Sequence, residues 1–168
     1  YKNYYSDLRE SLANILITKK FGLGKVFFVG SSGAEACEAS MKMSYQYFYD
    51  QGKKSKKYFI SRKQSYHGCT TDAISVGERP NLNFYKPFFS NYRKKINENN
   101  IFKHKKYNET ELEYSKRSAL ELEKMIIKIG PNNVCGFIGE TMLGGLIGDV
   151  PPSKNYWKYI RQICDKYN

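Results

Sequence analysis

Apolar positions recur along this chain in two rhythms, and they divide it into alternating helices and short strands. Leu8, Leu12, Ile15, Leu16 and Lys19 follow helical spacing, so Ser6 to Lys20 reads as a helix capped by Ser6 and ended by Gly22 and Gly24. Val26 to Val29 is a four-residue apolar, β-favouring run that reads as a buried strand and stops at Gly30. Ser32-x-x-Glu35 then has capping-box spacing, and Cys37, Met41, Ser44, Tyr45 and Phe48 share one helical face to about Tyr49. After a lysine-rich turn at Gly52, Tyr58 to Ser61 reads as a second strand, followed by a loop and a short helix from Thr71 to Val76. Residues Gly77 to Lys106, aromatic and basic with Pro80 and Pro87, read as one long irregular loop. Glu109 to Ile129 gives the clearest helix, with Leu112, Ala119, Leu122 and Ile126 on one face and Gly130-Pro131 as its stop. Val134 to Ile138 is a third strand. Gly144-Gly145 and Pro151-Pro152 turn the chain into a last helix whose inner side holds Tyr156, Trp157, Ile160, Ile163 and Cys164.

Strands alternating with helices, without hairpin signals, mean an α/β fold with a mostly parallel sheet flanked by helices. Such sheets bind ligands beyond the carboxyl ends of their strands. Three polar segments fall there: the Ser31–Ala34 turn, Tyr66-His67-Gly68, and Glu140 after the third strand. The first points backbone N–H groups and the positive end of a helix dipole at one spot, which suits a phosphate. It equally suits an ordinary capped helix. It is neither a P-loop nor a Gly-x-Gly-x-x-Gly turn, and its Gly33 arrives one residue too early for a nucleophile elbow. A serine hydrolase using Ser32 and His67 would need an oriented acid and an oxyanion hole, and the sequence places neither. His67 has no second histidine or carboxylate at metal-ligand spacing, so no metal site is expected.

With 168 residues the chain has room for one domain with a real core. Cys37, Cys69, Cys135 and Cys164 are scattered, which fits reduced thiols in a cytoplasmic protein. No apolar run reaches membrane-spanning length and no signal-like stretch opens the chain. The net charge of +12 gathers at Lys53, Lys54, Lys56 and Lys57, at Arg93, Lys94 and Lys95, and at Lys103 to Lys106. A non-enzymatic phosphate- or RNA-binding module is therefore an alternative, although no nucleic-acid-binding signature accompanies the charge. No nucleic acid or membrane is expected as a partner.

The segment Phe27-Phe-Val-Gly-Ser-Ser-Gly-Ala-Glu-Ala resembles the Ser-Gly-x-Glu-Ala segment of class III pyridoxal-phosphate aminotransferases. Tyr66-His67-Gly68 resembles that family's aromatic-His-Gly motif. Gly139-Glu140-Thr141-Met142, then Gly148 to Pro152 and Tyr156 to Tyr167, resemble its next block in order. The resemblance covers about Leu8 to Asn168. It implies part of the large domain of the fold type I architecture, truncated at both ends, with an active site at a homodimer interface. It implies pyridoxal 5'-phosphate as cofactor, with Ser32, Gly33 and Ala34 on the phosphate, Tyr66 stacked on the ring, and His67 and Glu140 lining the site. The family's Asp-Glu-Val strand and Schiff-base lysine would follow Asn168, so no catalytic residue is assigned and the isolated chain is expected to be inactive. Gly145 stands where many members acting on ω-amino acids have a second glutamate. The implied reaction moves an amino group from an amine or ω-amino acid to a keto acid; aminomutases, racemases and lyases on the same scaffold are alternatives.

Overall fold

The computed structural model describes residues 6–17, 22, 24–30 and 32–168. The chain forms two compact units, Tyr1–Gly30 and Ser31–Asn168. In the first, helix α1 (Asp7–Leu16) starts where the Ser6 carbonyl accepts from the Arg9 and Glu10 N–H groups. It ends before the expected Lys20, and residues 18–20 lie outside those described. The expected strand Val26–Val29 is not formed. A strand exists only through a neighbour's N–H and C=O groups, and this segment has no ladder partner among the described residues. Phe28 lies instead under the Arg9 guanidinium, 5.0 Å from the ring centre.

The second unit is built on a three-stranded parallel sheet. Its elements are α2 (Gly33–Asp50), β1 (Tyr58–Arg62), α3 (Thr71–Val76), a 3-10 helix (Pro80–Phe88), β2 (Arg93–Ile96), α4 (Ile101–His104), α5 (Glu111–Ile129), a short 3-10 turn (Pro131–Asn133), β3 (Val134–Phe137) and α6 (Tyr156–Tyr167). Strand order is β2-β1-β3, so β1 is central.

Side chains alternate across the strands and sort into two cores. Ile60, Ile96 and Val134 pack with Ala119, Leu122 and Ile126 of α5 and with Tyr156, Ile160 and Ile163 of α6. Phe59 and Cys135 face the other way and pack with Met41 and Phe48 of α2 and Val76 of α3. The unit is thus a helix layer, the sheet and a second helix layer, as the alternating pattern implied.

α5 opens two residues later than its hydrophobic pattern implied, because its capping box is set by Thr110. The Thr110 hydroxyl accepts from the Glu113 N–H, and the Glu113 carboxylate accepts from the Thr110 N–H at 2.8 Å.

The expected loop from Gly77 to Lys106 contains the longer 3-10 helix, β2 and α4. β2 reads Arg-Lys-Lys-Ile and carries no apolar run. It lies at an edge of this sheet, where charged strands are tolerated. Its cationic heads are held locally: Arg93 pairs with Asp72 at 2.6 Å, and Lys95 donates to the Ser75 carbonyl at 2.9 Å.

Candidate functional site

Because all three strands run parallel, the segments leaving β1 and β3 emerge at one edge of the sheet. Tyr66-His67-Gly68 follows β1 and Gly139-Glu140 follows β3. Gly68 brings in the third segment. Its φ is +135°, and a Cβ there would lie 2.5 Å from the Ala34 Cβ and 2.6 Å from the Ala34 Cα. The turn therefore rests directly on the first turn of α2. The structure brings Ser32, Gly33, Ala34, Tyr66, His67 and Glu140 together; Ser31 lies outside the described residues.

At the start of α2 the capping box forms as its spacing predicts. The Ser32 hydroxyl accepts from the Glu35 N–H at 3.2 Å, and the Glu35 carboxylate accepts from the Ser32 N–H at 3.0 Å. The Gly33 and Ala34 N–H groups donate to none of the described residues. A Cβ built on Gly33 would meet nothing within 4 Å. The end of an 18-residue helix thus presents two free donors and open space to an anion.

Tyr66 is partly exposed, so part of its ring surface is open to a flat partner. His67 is buried and its Nε2 has no hydrogen-bond partner. Burial, reinforced by the nearby Arg62 guanidinium, pulls its pKa down to about 4, which leaves the imidazole neutral at physiological pH. Glu140 Oε2 is likewise buried and unpartnered. Burial pushes its pKa up, opposed by the Tyr66 and Gly144 backbone N–H groups and by Arg62 and Arg79. The loop after Glu140 is closed by an antiparallel bridge between Leu143 and Val150, and the Trp157 indole donates to the Thr141 carbonyl at 3.1 Å.

The depressed His67 value has a consequence for stability. The unfolded chain takes up a proton near 6.5 and the folded protein only near 4, so protonation favours the unfolded state between those values. Stability should fall as pH drops from about 6.5 towards 4 and level off below. Thermal melts of wild type and His67→Asn across this range check it: the variant should lose that part of the slope.

Two site residues were not anticipated from sequence. Arg62 ends β1 with its side chain buried. Its Nη2 donates to the Glu140 carbonyl, and its guanidinium lies 5.1 Å from the Trp157 ring centre and 5.8 Å from that of Tyr156. No carboxylate among the described residues pairs with it. A signal existed: Arg62 is two residues past Ile60, so period two turns it to the same buried face. The second is Arg79, whose guanidinium sits 4.1 Å above the Tyr66 ring. Beside Tyr66 and Arg79 opens a cleft of ≈ 520 Å³, also lined by Gly68, Cys69, Leu82, Tyr85 and Phe88. An arginine before a proline in an aromatic stretch offered no comparable signal.

The alternatives from sequence fare less well. The Ser32 hydroxyl is engaged with Glu35, and His67 Nε2 has no partner, so the two do not form a nucleophile–base pair. Much of the basic charge is held locally. Lys56 donates to the Pro131, Val134 and Asn168 carbonyls, Lys57 lies over Tyr92, and Lys103 pairs with Glu98. The four cysteines are free thiols. No helix among the described residues is long and apolar enough to cross a membrane, and no group of three His, Cys, Asp or Glu side chains among them could hold a metal.

Comparison with known proteins agrees with this fold. The class III aminotransferase family model matches residues 2–168. The chain is 36% identical over 165 residues to an uncharacterized aminotransferase of Schizosaccharomyces pombe, covering 98% of this chain and 36% of that protein. It is 35% identical over 162 residues to gamma aminobutyrate transaminase 2 of Solanum lycopersicum, covering 96% of this chain and 34% of that one. Among solved structures, an omega-aminotransferase from Paracoccus denitrificans superposes with a TM-score of 0.87 at 28% identity, covering 98% of this chain and 36% of the other. A PMP-bound aminotransferase from Vibrio fluvialis gives 0.86 at 28% identity, with the same coverage. The chain spans about a third of the length of these relatives. With its parallel sheet, its sequence matched almost throughout and its fold shared with solved transaminases, the chain belongs to the class III aminotransferase family.

Proposed function

We propose that this chain is the cofactor-holding part of a longer pyridoxal-phosphate-dependent aminotransferase, which moves an amino group from an amine or ω-amino acid to a keto acid. The observation that carries the reading is the seating of Gly68 on Ala34. It puts an aromatic ring, a neutral imidazole and a carboxyl group beside a helix N-terminus with two unused N–H donors. Those groups fit the cofactor. The Gly33 and Ala34 N–H groups, with the Ser32 hydroxyl, receive its phosphate, and Tyr66 stacks on its ring. His67 and Glu140 hold unpartnered buried polar atoms ready for groups around the ring. Bound there, pyridoxal phosphate supplies the electron sink for amino transfer, while the protein supplies orientation and electrostatics. His67, neutral and walled in, accepts or donates one hydrogen bond without bringing a charge. The donors are taken from the relatives, among them a gamma aminobutyrate transaminase and an omega-aminotransferase. The lysine nucleophile of the family's chemistry is assigned to no residue here. Phe84 and Phe88, exposed on the Pro80–Phe88 helix, suit burial against a second copy in a homodimer, and a cytoplasmic setting fits the free thiols.

The test is titration of the full-length protein with pyridoxal 5'-phosphate, followed by absorbance, for wild type and Tyr66→Ala. Saturable binding that the variant weakens by roughly tenfold supports the reading, a stacked aromatic pair being worth about 0.5–1.5 kcal/mol beyond its buried area. Absence of cofactor binding, or binding indifferent to Tyr66, overturns it.

A further inference from the structure

We propose that Arg79 anchors the carboxylate of the substrate, and that the cleft beside it takes acids with an apolar or aromatic body. The proposal deepens, and rests on, the aminotransferase reading, because it names the substrate class of that same site. Four observations carry it. The Arg79 guanidinium carbon stands 4.1 Å from the Tyr66 ring centre, within cation–π range. A guanidinium held by a ring spends none of its N–H donors on that contact, which leaves them for a forked carboxylate contact. Among the described residues no hydrogen bond or ion pair engages the Arg79 side chain, and its Nε is buried without a partner. Its charge also acts on the Glu140 carboxyl, so the two groups lie within electrostatic reach of each other.

The fourth observation is the cleft itself. At ≈ 520 Å³ it is large enough for a small organic acid. Leu82, Tyr85, Phe88 and Phe89 line it, and among the described residues Arg79 is its one cationic lining residue. A carboxylate entering there meets a single complementary charge, and whatever body it carries meets apolar and aromatic walls. A purely polar acid would leave those walls wet, and a neutral amine would leave the arginine unanswered.

The experiment uses the full-length protein, with and without added pyridoxal 5'-phosphate, and two unreactive probes of one shape: 3-phenylpropanoate and its neutral amide, 3-phenylpropanamide. Affinities are measured by calorimetry for wild type, Arg79→Met and Arg79→Lys. The wild type should prefer the acid. Arg79→Met should lose on the order of 10- to 100-fold for the acid while its affinity for the amide holds within about twofold, as expected when a charged hydrogen-bonded contact is removed. Arg79→Lys, which keeps the charge but not the fork, should fall between the two. Equal acid affinity in wild type and Arg79→Met overturns the proposal, as does an equal loss for acid and amide. Failure of the aminotransferase reading shows separately, as absence of cofactor binding in the wild type, since the two probes read the cleft without cofactor present.

Discussion

Replacing Gly68 with alanine is expected to cost roughly 2–6 kcal/mol, a large share of the stability of an ordinary domain. Two independent penalties meet at this residue. The backbone φ of +135° is one that side-chain-bearing residues rarely adopt. The added Cβ would also stand 2.5 Å from the Ala34 Cβ, 2.6 Å from the Ala34 Cα and 3.1 Å from the Ala73 Cβ. The second contact is decisive, because a Cα belongs to the backbone of α2 and cannot rotate away. Pairing the change with Ala34→Gly should therefore recover little, since that removes the Cβ and leaves the Cα in place. Denaturant unfolding of Gly68→Ala and of the double variant checks this. A single variant as stable as wild type would mean that the turn does not rest on α2.

The second large effect should appear in binding and spare the fold. Gly33→Val is expected to weaken pyridoxal 5'-phosphate binding by at least about a hundredfold, because the side chain would fill the open space in front of the helix start and hold the phosphate away from two N–H donors, each contact to a charged group being worth roughly 1.5–3 kcal/mol. The melting temperature of the cofactor-free protein should barely move. Nothing lies within 4 Å of a Cβ at Gly33, and the residue opens a helix where valine is no worse than glycine. Ser32→Ala should do the reverse in proportion. It loses a cap worth about 1 kcal/mol and one hydroxyl contact, so stability falls visibly and affinity less than for Gly33→Val. Parallel cofactor titrations and melts separate the two behaviours. Wild-type affinity in Gly33→Val would place the phosphate elsewhere and leave the start of α2 a capped helix only.

Most of the candidate site was legible because its residues sit at points where the chain changes rhythm. Ser32-x-x-Glu35 marks a helix start, Tyr66-His67-Gly68 follows an apolar run, and Glu140 follows another. Patterns of burial and capping are local, and they survive in the sequence. What escaped were features decided by partners distant in the chain. Val26–Val29 has the composition of a strand, yet a strand is a relation between segments and no described segment pairs with it. β2 has the composition of a surface loop, yet hydrogen bonding to β1 makes it a strand, with Asp72 and the Ser75 carbonyl holding its charges. Arg62 broke an apolar alternation and so left a trace. Arg79 left none, because its place is set by the ring it lies on.

The central position of β1 bears on how the molecule acquires its site in time. Phe59 pairs with Arg93 and Ile60 with Phe137, so neither of its neighbours is close in sequence. Each pairing closes a long loop before any ladder bond rewards it, which makes such sheets slow to assemble. The α2 and α5 helices, each with its own capping box, can form early on local terms. The strand whose end carries Tyr66, His67 and Gly68 cannot. During refolding the helices should gain amide protection first. The β1 amides should follow more slowly, and the contact of Gly68 with Ala34 should close only once the sheet has formed.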